Sequence, residues 1–312
     1  MKHVFCLCLI LFLQSCADSN FLDRSRKDES ILQGLEVPPH EFLSENVVML
    51  SQGLVMQNAK PLFFGICTGV IIDDRTILTA AHCLDSGTYK LKAILNPNPR
   101  TALSTKNEVY AVVDSEIHPS YEFMKKIHIV AEANQRVTFE EVRLYDDIAL
   151  IYVDRDLNSS RNNRVNFLDR IDESQVQSAT VAGFGKTTTL KDTRDIDYKQ
   201  INAVLKQATI ELNINHFKSK NFSVSQWKNP GVCKGDSGSP VFVKEDSKNK
   251  LLGIAIGVFT DDEKIMQTNP VLDECRGHGV YLNIRSLKPW IAESLAKLKS
   301  RQLTQRSILL KN

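Results

Sequence analysis

Apolar residues along this chain come mostly in short blocks at strand spacing, broken by polar turns. Gly69-Val70-Ile71-Ile72 and Thr76-Ile77-Leu78-Thr79 flank Asp73-Asp74-Arg75, which predicts a β-hairpin. Further strands are predicted at Val47–Leu50, Leu91–Leu95, Val109–Val113, Asp147–Val153, Thr180–Gly183, Ile201–Ile210, Pro240–Val243, Leu251–Val258 and Gly279–Asn283. The proline-rich Asn96-Pro97-Asn98-Pro99 punctuates the first group as a loop. Near the end the period changes. Leu287, Ile291, Leu295 and Leu298 recur at helical spacing, with Ser286 placed as N-cap and Pro289 in the first turn. That stripe predicts a helix packed on the core rather than a membrane anchor.

The first thirty residues follow a different logic. Met1-Lys2-His3 and the apolar Val4–Leu13 read as a signal peptide, with a core too short to span a bilayer. It closes on Leu13-Gln14-Ser15-Cys16, which resembles a bacterial lipobox; by that resemblance Cys16 becomes a lipidated N-terminus. Ordinary signal cleavage near Ala17, with Cys16 incidental, is the other reading. Residues 16–30 are polar and charged and form a spacer or pro-segment. Glu122–Leu144 is a second charged stretch, expected as a surface loop with no readable role.

Charge alters little: 39 basic against 37 acidic side chains give no reason to expect a nucleic-acid partner or a membrane-surface role. The membrane enters only through the Cys16 lipid. Cysteine usage says more. Cys6, Cys8 and Cys16 lie in the leader, while Cys67, Cys83, Cys233 and Cys275 lie in the body, where sequence alone allows three pairings. Paired cysteines behind a leader point to an oxidising compartment, so the protein is expected to be exported.

Three short motifs carry candidate chemistry. Cys233-Lys234-Gly235-Asp236-Ser237-Gly238-Ser239-Pro240 sets a serine between glycines, so the backbone turns tightly and neighbouring N–H groups converge on one spot. Thr79-Ala80-Ala81-His82-Cys83 supplies a histidine, whose ordinary pKa suits a general base. Asp146-Asp147-Ile148-Ala149-Leu150 supplies a carboxylate directly before an apolar strand, with Asp147 favoured and Asp146 the runner-up. In their order of His, Asp and Ser, these motifs resemble the chymotrypsin-like (trypsin-fold) serine endopeptidases.

The resemblance covers Ile31 to about Leu298. It implies an all-β fold of two packed six-stranded antiparallel barrels with a C-terminal helix. The implied organisation is a signal peptide (1–15), a spacer (16–30), a protease domain (31–300, crossing between barrels near 155–170) and a tail (301–312). It implies catalysis by His82, Asp147 and Ser237, with the N–H groups of Gly235 and Ser237 as oxyanion donors. It selects the disulfides Cys67–Cys83 and Cys233–Cys275. It implies a new N-terminus at Ile31 whose ammonium pairs with Asp236, released by an activating protease. No metal or other cofactor is called for, and peptides or proteins are the expected substrates. A non-catalytic homologue that binds a partner through the same cleft is the rival reading.

The substrate pocket implied by the resemblance is formed by Gly231, Val232, Ile256, Val258 and Gly279. Gly231, at the floor, carries no charge, Val258 narrows the entrance, and Gly279 is expected to leave the opposite wall open. Small or medium apolar side chains are therefore expected before the scissile bond. Ile256 stands where the family has a serine bonded to the triad aspartate, so Asp147 must be satisfied by backbone N–H groups or be held more loosely.

Overall fold

The computed structural model describes residues 31–309 except 32, 58–59, 86–90, 100, 102–107, 133–134, 158–163, 170–171, 173, 175, 186–203, 260–274 and 276. The leader, Cys16 and the spacer lie outside the described residues. So do Leu32, part of the expected barrel crossover, and the start of the strand expected at 201–210.

The chain opens with β1 (Leu35–Glu36) and a short helix α1 (Phe42–Asn46). Strands β2 (Val47–Gln57), β3 (Lys60–Asp73), β4 (Thr76–Thr79), β5 (Lys92–Ile94) and β6 (Val109–Ile117) follow. Next come β7 (Glu122–Glu132), β8 (Gln135–Tyr145) and β9 (Ala149–Val153). Six of these close into a barrel in the order β2-β3-β4-β9-β6-β5. β4 is buried along its whole length, as is β9, and Leu78 pairs with Leu150 across them. Burial on both faces explains why β9 reads as an unbroken apolar run, and it covers even the two threonines at the ends of β4. Residues 122–145, expected as a loop, instead form an antiparallel hairpin, β7 with β8, that pairs with no other described strand.

The second half contains β10 (Asn166–Phe167), β11 (Ser178–Gly183), β12 (Lys206–Glu211), helix α2 (Ile214–Lys218) and β13 (Asn221–Ser225). It ends with β14 (Pro240–Glu245), β15 (Lys248–Phe259) and β16 (His278–Asn283). The sheet runs β1-β12-β11-β14-β15-β16-β13, with β10 beside β15. Ala208, Val181, Val241, Leu252, Tyr281 and Phe222, one from each of six strands, meet in a single apolar core. A closed barrel, a second sheet and a C-terminal helix agree with the two-barrel β architecture implied by the resemblance, although the second sheet has eight strands rather than six. The larger apolar core joins first-barrel residues to Phe242, Leu251, Ile254 and Leu282 of that sheet.

The chain then makes a 3₁₀ turn (Ile284–Leu287) and the helix α3 (Lys288–Leu309). Two expectations need correction. Asn283, not Ser286, caps this region, accepting the Arg285 N–H on its side chain, because the 3₁₀ turn begins before Ser286. The helix also runs past residue 300, where a tail was expected. Leu287, Ile291 and Leu298 are buried against the first core. Arg301, beyond that stripe, binds Asp114 of β6 through two bonds at 2.8 and 3.0 Å and also pairs with Glu116. Ion pairs thus hold a stretch that the apolar period does not reach.

Candidate active site

β4 carries the chain out of the first barrel into a 3₁₀ turn, Ala81–Leu84, that bears His82. The disulfide Cys67–Cys83 pins this turn to β3. Asp147 precedes β9, the neighbour of β4, so the sheet register brings the two side chains together. His82 Nδ1 lies 2.7 Å from Asp147 Oδ2, and the backbone N–H of His82 donates to Asp147 Oδ1 at 2.9 Å. The carboxylate is wholly buried, whereas the His82 side chain is a quarter exposed. A buried carboxylate only accepts, so it fixes the proton on Nδ1 and leaves Nε2 available as a base.

Asp146 goes elsewhere. Its positive φ of 45° turns the chain so that its carboxylate pairs with Lys220 and faces His118 Nδ1 at 3.7 Å. The His118 ring lies 4.9 Å from that of Trp290, tilted by 58°, and burial holds its pKa below the usual value. The two adjacent aspartates therefore separate, Asp147 to His82 and the also buried Asp146 to Lys220 and His118.

Ser237 sits in a turn that only glycine permits on either side. Gly235 has φ 97° and Gly238 has φ 84°, both in the left-handed region. A Cβ on Gly238 would also press within 3.1 Å of Ala80 N, two residues before His82. The Ser237 carbonyl accepts the Thr68 N–H at 2.8 Å and lies 3.9 Å from Cys83 Sγ, next to His82. The Thr68 hydroxyl donates to Gly235 O at 3.1 Å and accepts the Phe184 N–H at 3.1 Å. Gly238 N–H donates to Ala255 O at 2.7 Å, and Ala255 N–H returns to Ser239 O at 2.8 Å. Among the described residues, the N–H groups of Gly235 and Ser237 meet no acceptor. Two free backbone donors therefore belong to Ser237 itself and to the glycine two residues before it.

Asp236 turns inward from the same loop. Its carboxylate is buried and accepts N–H bonds from Gly185 at 2.7 Å and Cys233 at 2.8 Å. Burial pushes its pKa up to about 7, against the opposing pull of those two bonds. A side chain at Gly185 would overlap this carboxylate. Ile31 is fully buried in the second core, yet it carries φ 50°, a strained value for a β-branched residue. Its carbonyl accepts the Gly34 N–H at 2.7 Å.

Residues 47–291 match the family described as Trypsin. The chain belongs to the trypsin family. Among similar proteins are two from Anopheles gambiae. CLIP domain-containing serine protease B4 is 24% identical over 254 residues, covering 73% of this chain and 62% of that protein. CLIP domain-containing serine protease B15 is 25% identical over 244 residues, covering 72% and 60%. Venom serine protease 34 of Apis mellifera is 26% identical over 209 residues, covering 61% of this chain and 45% of that protein. The match thus spans about six-tenths of the two mosquito proteins and under half of the bee protein.

In this trypsin-family chain the disulfide Cys233–Cys275 joins the segment before Ser237 to the one before β16. Gly231, Val232 and Gly279 are buried beside it, while Val258, half-buried, pairs with Gly279 across β15 and β16. The wall at Gly279 is not open as expected. A Cβ there would come within 2.6 Å of Gln226 Oε1, because the Gln226 amide fills that space. Ile256 is buried and its apolar side chain offers Asp147 no hydrogen bond; the bonds Asp147 accepts come from the ring Nδ1 and the backbone N–H of His82. Cys67, His82 and Cys83 bring their ligand atoms within 4.8 Å of one another, but both sulfurs are joined in a disulfide, so the trio is not a thiolate metal set.

Sequence reasoning missed Thr68 and Gln226. Thr68 directly follows Cys67, and its only signal was a hydroxyl in an otherwise apolar strand. Gln226 lies in a polar segment with no motif around it.

Proposed function

We propose that the chain is a serine endopeptidase that hydrolyses peptide bonds through an acyl-enzyme on Ser237. The observation that carries this is the double hold of buried Asp147 on His82, beside a glycine-flanked serine with two unclaimed N–H donors. Ser237 Oγ attacks the scissile carbonyl while His82 Nε2 takes its proton. The resulting oxyanion accepts from Gly235 and Ser237 N–H groups. His82, now an imidazolium stabilised by Asp147, gives the proton to the leaving amine. Water then repeats the sequence in reverse, releasing the acid and restoring Ser237.

The expected substrate is a peptide or protein, and no cofactor takes part in these steps. Activation by cleavage before Ile31 is part of the same reading. The freed ammonium would neutralise Asp236, which is buried and has no cation beside it among the described residues, and would release the strained φ of Ile31. Export rests on the leader. The lipid on Cys16 rests on its lipobox alone, and the insect relatives lend the bacterial motif no support.

A fluorophosphonate probe tests the proposal. The protein cleaved before Ile31 labels at Ser237, and the label disappears in Ser237→Ala and falls sharply in His82→Ala. A folded protein that fails to label even after cleavage before Ile31 is the non-catalytic binding homologue instead.

A further inference from the structure

Gln226 follows β13, and its side chain is almost wholly buried. Its Nε2 donates to Val232 O at 2.7 Å and also to Cys275 O, while Oε1 accepts the Val232 N–H at 3.1 Å. Its own N–H donates to Gly277 O at 2.8 Å. One amide therefore ties the segment leading to Ser237 to the segment across the Cys233–Cys275 bridge.

The position of that amide matters as much as its bonds. A Cβ on Gly231 would come within 2.5 Å of Gln226 Cδ, and one on Gly279 within 2.6 Å of Gln226 Oε1 and 2.8 Å of Tyr281 Oη. Gly231 and Gly279 are the two glycines whose missing side chains would leave room for a substrate. The chain's own amide takes that room. The Tyr281 hydroxyl, also fully buried, meets the same space and has no hydrogen-bond partner among the described residues.

We propose that Gln226 is a specificity-determining residue that closes the bottom of the substrate pocket and limits the residue before the scissile bond to glycine, alanine or serine. The inference rests on the protease reading and deepens it. A leucine or phenylalanine would have to expel an amide whose donors and acceptor are all engaged, stranding the N–H and C=O of Val232 without partners. Ser30, which precedes the expected activation cut, has an admissible size.

The test uses indole, a neutral aromatic probe of pocket size, and needs no turnover. Binding is followed by NMR on the full chain, on Gln226→Ala, which empties the space, and on Gln226→Met, which refills it without the amide. The native chain and Gln226→Met are expected to exclude indole. Gln226→Ala should bind it at least about tenfold more tightly, as an emptied buried cavity does for a small aromatic. Saturable binding to the native chain, with shifts at Val232 and Gly279, overturns the proposal whether or not the protein cleaves peptides. Should Gln226→Ala fail to fold, the native chain still decides: kcat/KM at least about tenfold higher after alanine than after phenylalanine supports the closed pocket, and the reverse order overturns it. If Ser237 never labels while indole is excluded and then admitted by Gln226→Ala, the protease reading fails and the closed pocket stands.

Discussion

Asp147 accepts two hydrogen bonds from a single residue: one oxygen takes the ring Nδ1–H of His82 at 2.7 Å, the other its backbone N–H at 2.9 Å. The first bond sets the tautomer and the second sets the angle of the carboxylate. Ile256, an apolar side chain, adds no third bond to this carboxylate. Asp147→Asn presents an amide where an acceptor is needed and favours the wrong tautomer. The expected loss is roughly 10³–10⁴ in kcat with the fold intact, read by burst kinetics alongside circular dichroism.

Asp236 predicts an unusual pH dependence for the uncleaved chain. Its folded pKa of about 7 lies above the ordinary value of 3.8, so the folded state holds the proton more tightly than the unfolded state. The stabilisation is complete below about pH 4 and is lost as pH rises through 7, a swing of roughly 4 kcal/mol. Urea denaturation of the uncleaved chain from pH 4 to 8 should show that fall. Asp236→Asn should flatten it, and so should cleavage before Ile31, because a paired ammonium keeps the carboxylate charged. A slope unchanged by Asp236→Asn would assign the effect to other groups.

Thr68 is a hub that no motif announced. Its N–H holds Ser237 O, and its hydroxyl joins Gly235 O to the Phe184 N–H. Thr68→Val keeps the shape but strands two buried backbone groups, which should cost about 1–3 kcal/mol of stability. Loosening of Gly235 should also lower kcat more than it changes KM, since that N–H is proposed to act in the transition state. Chemical denaturation and steady-state kinetics on the same preparation separate the two effects.

The far end of α3 should depend on ions. Arg301 bonds Asp114 and Glu116, while Lys297 reaches Glu116 at 3.0 Å and Lys299 reaches Asp73 at 2.8 Å. Arg301→Ala should destabilise the protein by about 1 kcal/mol at low salt and by less at high salt. Thermal melts of both proteins at two salt concentrations check this. Equal losses at both would point to lost packing of the side-chain stem.

Much of the site was legible because its parts are contiguous words. Gly235 and Gly238 must turn the chain around Ser237, and an aspartate ahead of an apolar strand becomes buried when that strand enters a barrel. The sequence favours Asp147 over Asp146, and φ 45° at Asp146 turns that carboxylate toward Lys220 and His118 rather than His82. The hairpin at 122–145 was missed because both strands carry charges among apolar residues, which masks the period of two.

By itself the sequence determined what depends on near neighbours: most strands and turns of the two sheets, the apolar stripe of α3, and the glycines that turn the chain around Ser237. Tertiary structure alone decided the rest. Thr68 meets Gly235 across 167 positions, and Gln226 enters a space defined by two glycines on different segments. Hydrogen bonds and excluded volume act over a few ångströms regardless of separation along the chain, so partners that distant leave no trace in any local pattern.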